Sequence, residues 1–320
     1  MIIANMEAMH AEQAAEIFVH QYQKARNQYP LLPDKYEEKE VVSRLLKDML
    51  MSNEGVVAIA EGEVIGYLAG FKIAEFKSSN CGVYTPEWAH GASGENADAV
   101  FEKMYAAISS RWLQDGCIVH AITALGNEQK RIDQLFWNGY GMHVVDGVRE
   151  VQAVGEAEQE GIHIRNGHPG DAGQLVDLLD EHETYLASAP IFLPQRNKYT
   201  REAILSWFDH PDLTVTVAER EGVIVAIMNT ESGADNACTI VRDRQTLAIK
   251  ETHTMAAFRG LGIGKALLHH VERYASNNGY ERLSVDFESA NQSARTFWMT
   301  HFRPVCYSLI RYLDDRNVRR

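Results

Sequence analysis

"MAAFRGLGIGKALLHHVERYA", Met255 to Ala275, places three glycines within five positions and runs directly into a helical pattern. Glycine lacks the Cβ that keeps other backbones away from a ligand. Beyond the loop, Leu267, Val271, Tyr274 and Ala275 share one helical face, and Gly279 stands where a glycine ends a helix. A turn of this kind aims successive N–H groups into the mouth of a helix, whose N-terminus carries about half a positive charge. The product is an anion site suited to a pyrophosphate. Two phosphate motifs fail here. A P-loop needs glycine at Arg259 and Ser or Thr at Ala266; a dinucleotide fingerprint needs its third glycine at Lys265 or Leu267. The pattern [Arg/Gln]-x-x-Gly-x-[Gly/Ala] fits, as Arg259-Gly260-Leu261-Gly262-Ile263-Gly264.

The rest of the chain repeats itself at an offset of about 160 residues. "VVAIAEGEVIGYLAG" from Val56 matches "VTVAEREGVIVAIMNT" from Val215, each a strand, a polar turn and a second strand. "DGCIVHAIT" from Asp115 matches "NGYERLSVDF" from Asn278, and "QLFWNGYGMHVV" from Gln134 matches "RTFWMTHFRPVC" from Arg295. The order is kept, so two copies of one fold are expected, over 1–153 and 162–320. They join at the acidic, polar segment Ala153–Ile164. Helices and strands alternate in each copy. In the second, Leu175, Leu178, Leu179 and Leu186 mark a helix with Asp171 at its N-cap. The class is α/β (α+β), in duplicate.

Composition agrees with a packed protein. Hydrophobic residues make up 45% of the 320 and charged residues 23%. The net charge of −13 argues against a nucleic-acid partner. No apolar run approaches the ~20 residues of a membrane span, and the start lacks a signal-peptide pattern, so a cytoplasmic location is expected. The four cysteines, Cys81, Cys117, Cys238 and Cys306, are isolated and are expected to be buried free thiols. No histidine pair has metal-ligand spacing with a carboxylate, so no metal is expected.

The Arg259–Gly264 pattern resembles the acyl-CoA loop of the GNAT superfamily of N-acetyltransferases. "NQSARTFW", Asn291 to Trp298, resembles that superfamily's Asn-x-x-Ala-x-x-Phe-Tyr segment, which lines the pantetheine arm. The resemblance covers the second half and, more weakly, the first. It implies a mixed, mostly antiparallel sheet whose fourth and fifth strands splay into a V that takes acetyl-CoA as cosubstrate. Thr252, Thr254 and Met255 on the fourth strand, "LAIKETHTM", would meet the pantetheine. Arg259, Gly260, Leu261, Gly262, Ile263, Gly264 and Lys265 would meet the pyrophosphate, and Asn291 the arm. The first copy offers "WAHGASGENA" at the matching place, with Gly91 and Gly94 wrongly spaced and Glu95 where phosphate would sit. It reads as degenerate: structural, or shaping the substrate cleft.

The implied reaction moves an acetyl group to the primary amine of a small molecule or peptide. A base must take the amine's proton. Glu251 and His253 are the candidates, two apart on the fourth strand and so on one face; Thr252 and Thr254 hold the other. Alternation alone leaves open which face meets the cleft. Trp298 replaces the superfamily's usual Tyr, the customary acid, and Tyr307 on the last strand is the substitute candidate. That replacement keeps a rival reading in view, a non-catalytic acyl-CoA-binding or regulatory protein. Monomer and homodimer are both left open.

Overall fold

The computed structural model describes all residues except 78, 79, 154, 156–159, 195–197, 234–237, 319 and 320. The expected joining segment, and the Pro-bearing stretch that follows the helix ending near Leu186, thus lie partly outside the described residues. The described chain forms two compact units.

The first unit comprises Met1–Val145 with two later pieces, Cys238–Ile240 and Pro304–Arg320. Its chain order is β1 (Ile2–Asn5), α1 (Ala11–Gln28), α2 (Lys39–Leu50), β2 (Gly55–Ala60), β3 (Glu63–Ala69), β4 (Phe71–Ile73), β5 (Gly82–Thr85), β6 (His90–Ala92), α3 (Ala97–Gln114), β7 (Val119–Leu125) and α4 (Gln129–Trp137). Strand β8 (Gly141–Glu150) begins here and ends in the second unit. β1, β2, β3 and β6 form one sheet in that order. β7 pairs in parallel with β5. Helix α3 buries Val100, Phe101, Met104, Tyr105, Ile108 and Trp112, a single helical stripe, against this sheet system.

Two expectations are corrected here. The parallel register sets Gly82 opposite Val119 and carries the two preceding turns together. Cys81 and Cys117, 4.3 Å apart at Cα, are joined as a disulfide; Cys238 and Cys306 are buried and not in a disulfide. The Phe-Trp pairs of the two copies also do not correspond. Trp298 is buried, whereas Phe136 and Trp137 are 67% and 84% exposed, and Leu135 points into the first unit's core instead.

The second unit comprises Asp146–Ala237 and Val241–Arg303. It contains β9 (His163–Asn166), α5 (Ala172–Ala187), α6 (Arg201–Asp209), β10 (Leu213–Arg220), β11 (Val223–Ser232), β12 (Thr246–Thr254), α7 (Ile263–Asn277), β13 (Arg282–Glu288) and α8 (Gln292–His301). The strands lie in the order β9-β10-β11-β12-β13. All neighbours are antiparallel except β12 and β13, which are parallel. α5 buries Leu175, Leu178 and Leu179 as its spacing predicts. Asp171 does occupy the N-cap position, but its carboxylate accepts hydrogen bonds from Arg165 and the His168 N–H rather than capping the helix. On α7, Glu272 is 1% exposed and accepts two hydrogen bonds from Arg149, at the end of β8, and one from the Gln152 N–H. That buried carboxylate anchors the helix.

The final strand, β14 (Arg303–Tyr312), returns to the first unit from Pro304 onward. It pairs antiparallel with β7 from Tyr312↔Val119 to Cys306↔Leu125. The last strand of the second copy thus completes the sheet of the first. Leu309, 2% exposed, packs with Ile122, Ala124 and Tyr140 in the first unit's core. Leu309→Ala is therefore expected to cost about 2–5 kcal/mol and to raise amide exchange along β7, more than a hundred residues away in sequence. Unchanged β7 exchange in a folded variant would contradict this strand assignment.

Candidate active site

β12 and β13 pair only from Thr246↔Arg282 to Ile249↔Val285. On its other side, β12 carries a bulge: Thr230 faces Ile249 and Met228 faces Thr252, so Lys250 and Glu251 together oppose Asn229. A bulge bends and twists its strand. Beyond it, β12 stays with β11 and leaves β13, opening the expected V.

The glycine loop lies at the end of β12. The Met255 N–H donates to the Val225 carbonyl, closing the strand. Gly262 follows at φ 81°, a left-handed conformation that disfavours any residue with a Cβ, and α7 starts at the next residue. No side chain caps the helix, so its first-turn N–H groups face the cavity mouth uncapped. A Cβ placed on Gly264 would meet only the Phe297 ring, at 3.6 Å, so α8 closes over the loop.

A cavity of about 380 Å³ fills the V. Thr252, Thr254, Arg259, Gly260, Gly262, Ile263, Gly264, Lys265 and Asn291 line it. Met255 instead packs toward the cluster under α5, and Leu261 is exposed. Thr252 Oγ1 is buried and has no protein partner. An orphaned hydroxyl, an uncapped helix start and a glycine cradle are together what an acyl-CoA needs: a partner for its polar arm and donors for its phosphates.

His253 lines the cavity; Glu251 is not among the lining residues. Glu251 falls in the bulge itself, opposite Asn229 together with Lys250. Tyr307 is placed elsewhere, on β14 of the first unit, opposite Ala124 and against that unit's core.

Helix α5 contributes three side chains that the sequence reading did not assemble. Glu181 Oε1 accepts from the Ala256 N–H at 2.9 Å and lies 3.3 Å from His253 Nε2. The His182 ring stacks on His253 at 4.9 Å between centroids. Tyr185 lies 6.2 Å from the same imidazole, and its hydroxyl donates to Asn291 Oδ1 at 2.9 Å. The guanidinium of Arg259 sits 4.2 Å from the Tyr185 ring centroid while its Nε donates to the Thr254 carbonyl. Burial pushes the His253 pKa below the usual imidazole value, with Glu181 pulling the other way. Burial also acts to raise the Glu181 carboxyl, but the Ala256 N–H and His253 outweigh it and hold it low. The result is a buried, neutral imidazole oriented by a carboxylate, the arrangement of a general base. The only sequence signal for this trio was the run Glu181-His182-x-x-Tyr185, a polar face flanking the leucine stripe.

Among the described residues there is no group of His, Cys, Asp or Glu that could hold a metal ion, and no helix long and apolar enough to cross a membrane.

Residues 179–302 match the family model described as the acetyltransferase (GNAT) family. No curated protein matches the chain. Among solved structures, a GCN5-related N-acetyltransferase from Sphaerobacter thermophilus is 15% identical, with 97% of this chain and 95% of that one covered, at a TM-score of 0.63. A glucosamine N-acetyltransferase region of a fungal multi-domain β-N-acetylglucosaminidase is 13% identical over 97% of this chain and 38% of that one, with a TM-score of 0.59. A tandem GNAT protein from the clavulanic acid biosynthesis pathway is 10% identical over 97% and 98%, with a TM-score of 0.51. Residues 179–302, which carry the splayed strands, the glycine loop and the His253–Glu181 pair, are a GNAT-family acetyltransferase domain within a chain of tandem GNAT fold.

Proposed function

We propose that the protein is an N-acetyltransferase that moves an acetyl group from acetyl-CoA to a primary amine of a small molecule or peptide, in the cytoplasm. Its active site lies in the second copy, 162–320. The observation that carries this reading is the shared cavity: the uncapped glycine loop and the buried His253 imidazole, with Glu181 beside its Nε2, meet at the same space. The loop N–H groups and Lys265 hold the phosphates, and Thr252 and Asn291 meet the arm. Bound there, acetyl-CoA supplies an activated acetyl thioester. His253 donates Nε2–H to Glu181, so Nδ1 accepts the amine proton and Glu181 steadies the imidazolium that forms.

The first copy, 1–153, is a degenerate GNAT-like domain that does not bind acetyl-CoA. In support, the gap between β6 and β7 is bridged by a side chain: the buried His90 ring lies 2.8 Å from the Thr123 carbonyl. Phe101 packs edge-on to His90, and the Arg131 guanidinium lies 3.7 Å from the Phe101 ring centroid. Gln134 then ties α4 to the Asp98 carbonyl on α3. These contacts tie β6, α3, α4 and β7 together beside a cavity of about 690 Å³ whose lining includes Gly94, Ala97, Asn127 and Glu128.

Four outcomes are expected. Gly262→Asp, which adds a Cβ at positive φ and a negative charge at the phosphate seat, should weaken acetyl-CoA binding about 10–100-fold; unchanged calorimetric affinity would sink the loop assignment. Titration should give one equivalent of acetyl-CoA per chain, and two would show the first copy to be a working site. His253→Gln should lower kcat/KM about 10²–10⁴-fold. In the wild type, kcat/KM should fall as the pH drops below the ordinary histidine range, because the protonated ring accepts nothing and its pKa is depressed. That acid limb should vanish in His253→Gln, and its persistence would assign the base elsewhere.

A further inference from the structure

Forming an amide from an amine and a thioester moves two protons: one leaves nitrogen and one reaches sulfur. The His253–Glu181 pair accounts for the first. For the second, the side chain at the end of the Asn291–Trp298 segment is no help, because an indole N–H does not dissociate near neutral pH. Tyr307 belongs to the first unit. The hydroxyls lining the cavity include those of Thr252, Thr254 and Ser293, but these are aliphatic alcohols. A phenol is the hydroxyl whose acidity lies nearest that of a thiol.

We propose that Tyr185, on α5, is the proton donor to the departing thiolate, an inference that rests on the acetyl-transfer reading above. Three contacts fix its position. Its Oη donates to Asn291 Oδ1 at 2.9 Å, and Asn291 is the N-cap of α8, just past the end of β13. The phenol therefore reaches from α5 to the β13 side of the V while its ring lies 6.2 Å from His253 on the β12 side. Arg259, fastened to the Thr254 carbonyl, holds the ring from one face. Proton acceptor and proton donor thus flank one cavity, with space between them for a reacting carbon. Asn291 Oδ1 serves as the resting acceptor for the phenol proton, and rotation about the Cζ–Oη bond alone redirects it. In the step, the N–C bond forms and the C–S bond breaks with its electron pair on sulfur. The amine proton goes to His253, the Tyr185 proton goes to sulfur, and solvent restores both residues.

The test uses the full chain bound to CoA, with no acceptor present, and follows thiolate absorbance against pH. Hydrogen bonding from Tyr185 should stabilise the thiolate, so Tyr185→Phe should lower the thiolate fraction at a given pH about tenfold or more. Fluorotyrosine at the same position keeps the ring's shape and makes a stronger donor, so the thiolate should form at lower pH than in the wild type. With an accepted amine, Tyr185→Phe should lower kcat about 10²-fold. Identical thiolate titrations in wild type and both variants would overturn the assignment whether or not any amine is acetylated. A wild type that shows the titration shift yet acetylates no amine across a broad panel would instead sink the transfer reading.

Discussion

Everything at the site depends on two parallel strands that part company. β12 and β13 share a register for four residue pairs and then separate, because the bulge at Lys250 and Glu251 turns β12 back toward β11. A continuous ladder there would satisfy its own backbone and leave no cavity. The separation creates unpaired strand edge beside a buried, partnerless Thr252 hydroxyl, and the glycine loop sets an uncapped helix start at the same end. Each feature is costly alone in a packed protein. Their concentration in one place marks a surface built for a polar ligand. The helix that presents the loop is pinned by Glu272, whose burial demands the Arg149 and Gln152 donors it receives.

The two copies differ in how they treat this gap. In the second unit it stays open and is lined by backbone donors, a lysine and a neutral imidazole. In the first, His90 spans it to the Thr123 carbonyl, and burial pushes that imidazole down to about pH 4, so it stays neutral as a structural crosspiece. Histidine therefore does opposite work in the two halves: as a strut at position 90 and, in our reading, as a base at 253. β14 follows the second copy in the chain, yet from Pro304 onward it belongs to the first unit and pairs with β7 there.

Much of this was legible in the sequence, for identifiable reasons. The glycine loop, the leucine stripe of α5 and the α7 face are local patterns, and local patterns survive folding. The duplication was visible because order along the chain is kept. What failed were inferences that depend on register. Glu251 and His253 were paired by alternation, yet Glu251 falls in the bulge and only His253 lines the cavity. The Phe-Trp pairs looked equivalent, but α4 buries Leu135 where α8 buries Trp298. Tyr307 was a candidate acid on the last strand, and that strand belongs from Pro304 onward to the first unit. The trio Glu181, His182 and Tyr185 was missed because its meaning comes from packing: only the fold brings α5 over the end of β12.

The central claim is that one open V, in the second copy, takes acetyl-CoA. Hydrogen–deuterium exchange on the full chain, with and without saturating acetyl-CoA, addresses it directly. Protection should appear in Thr252–Lys265 and Asn291–Trp298, with His90–Phe101 and Gln129–Trp137 unchanged. Protection at His90–Phe101, or none in the glycine loop, would contradict it.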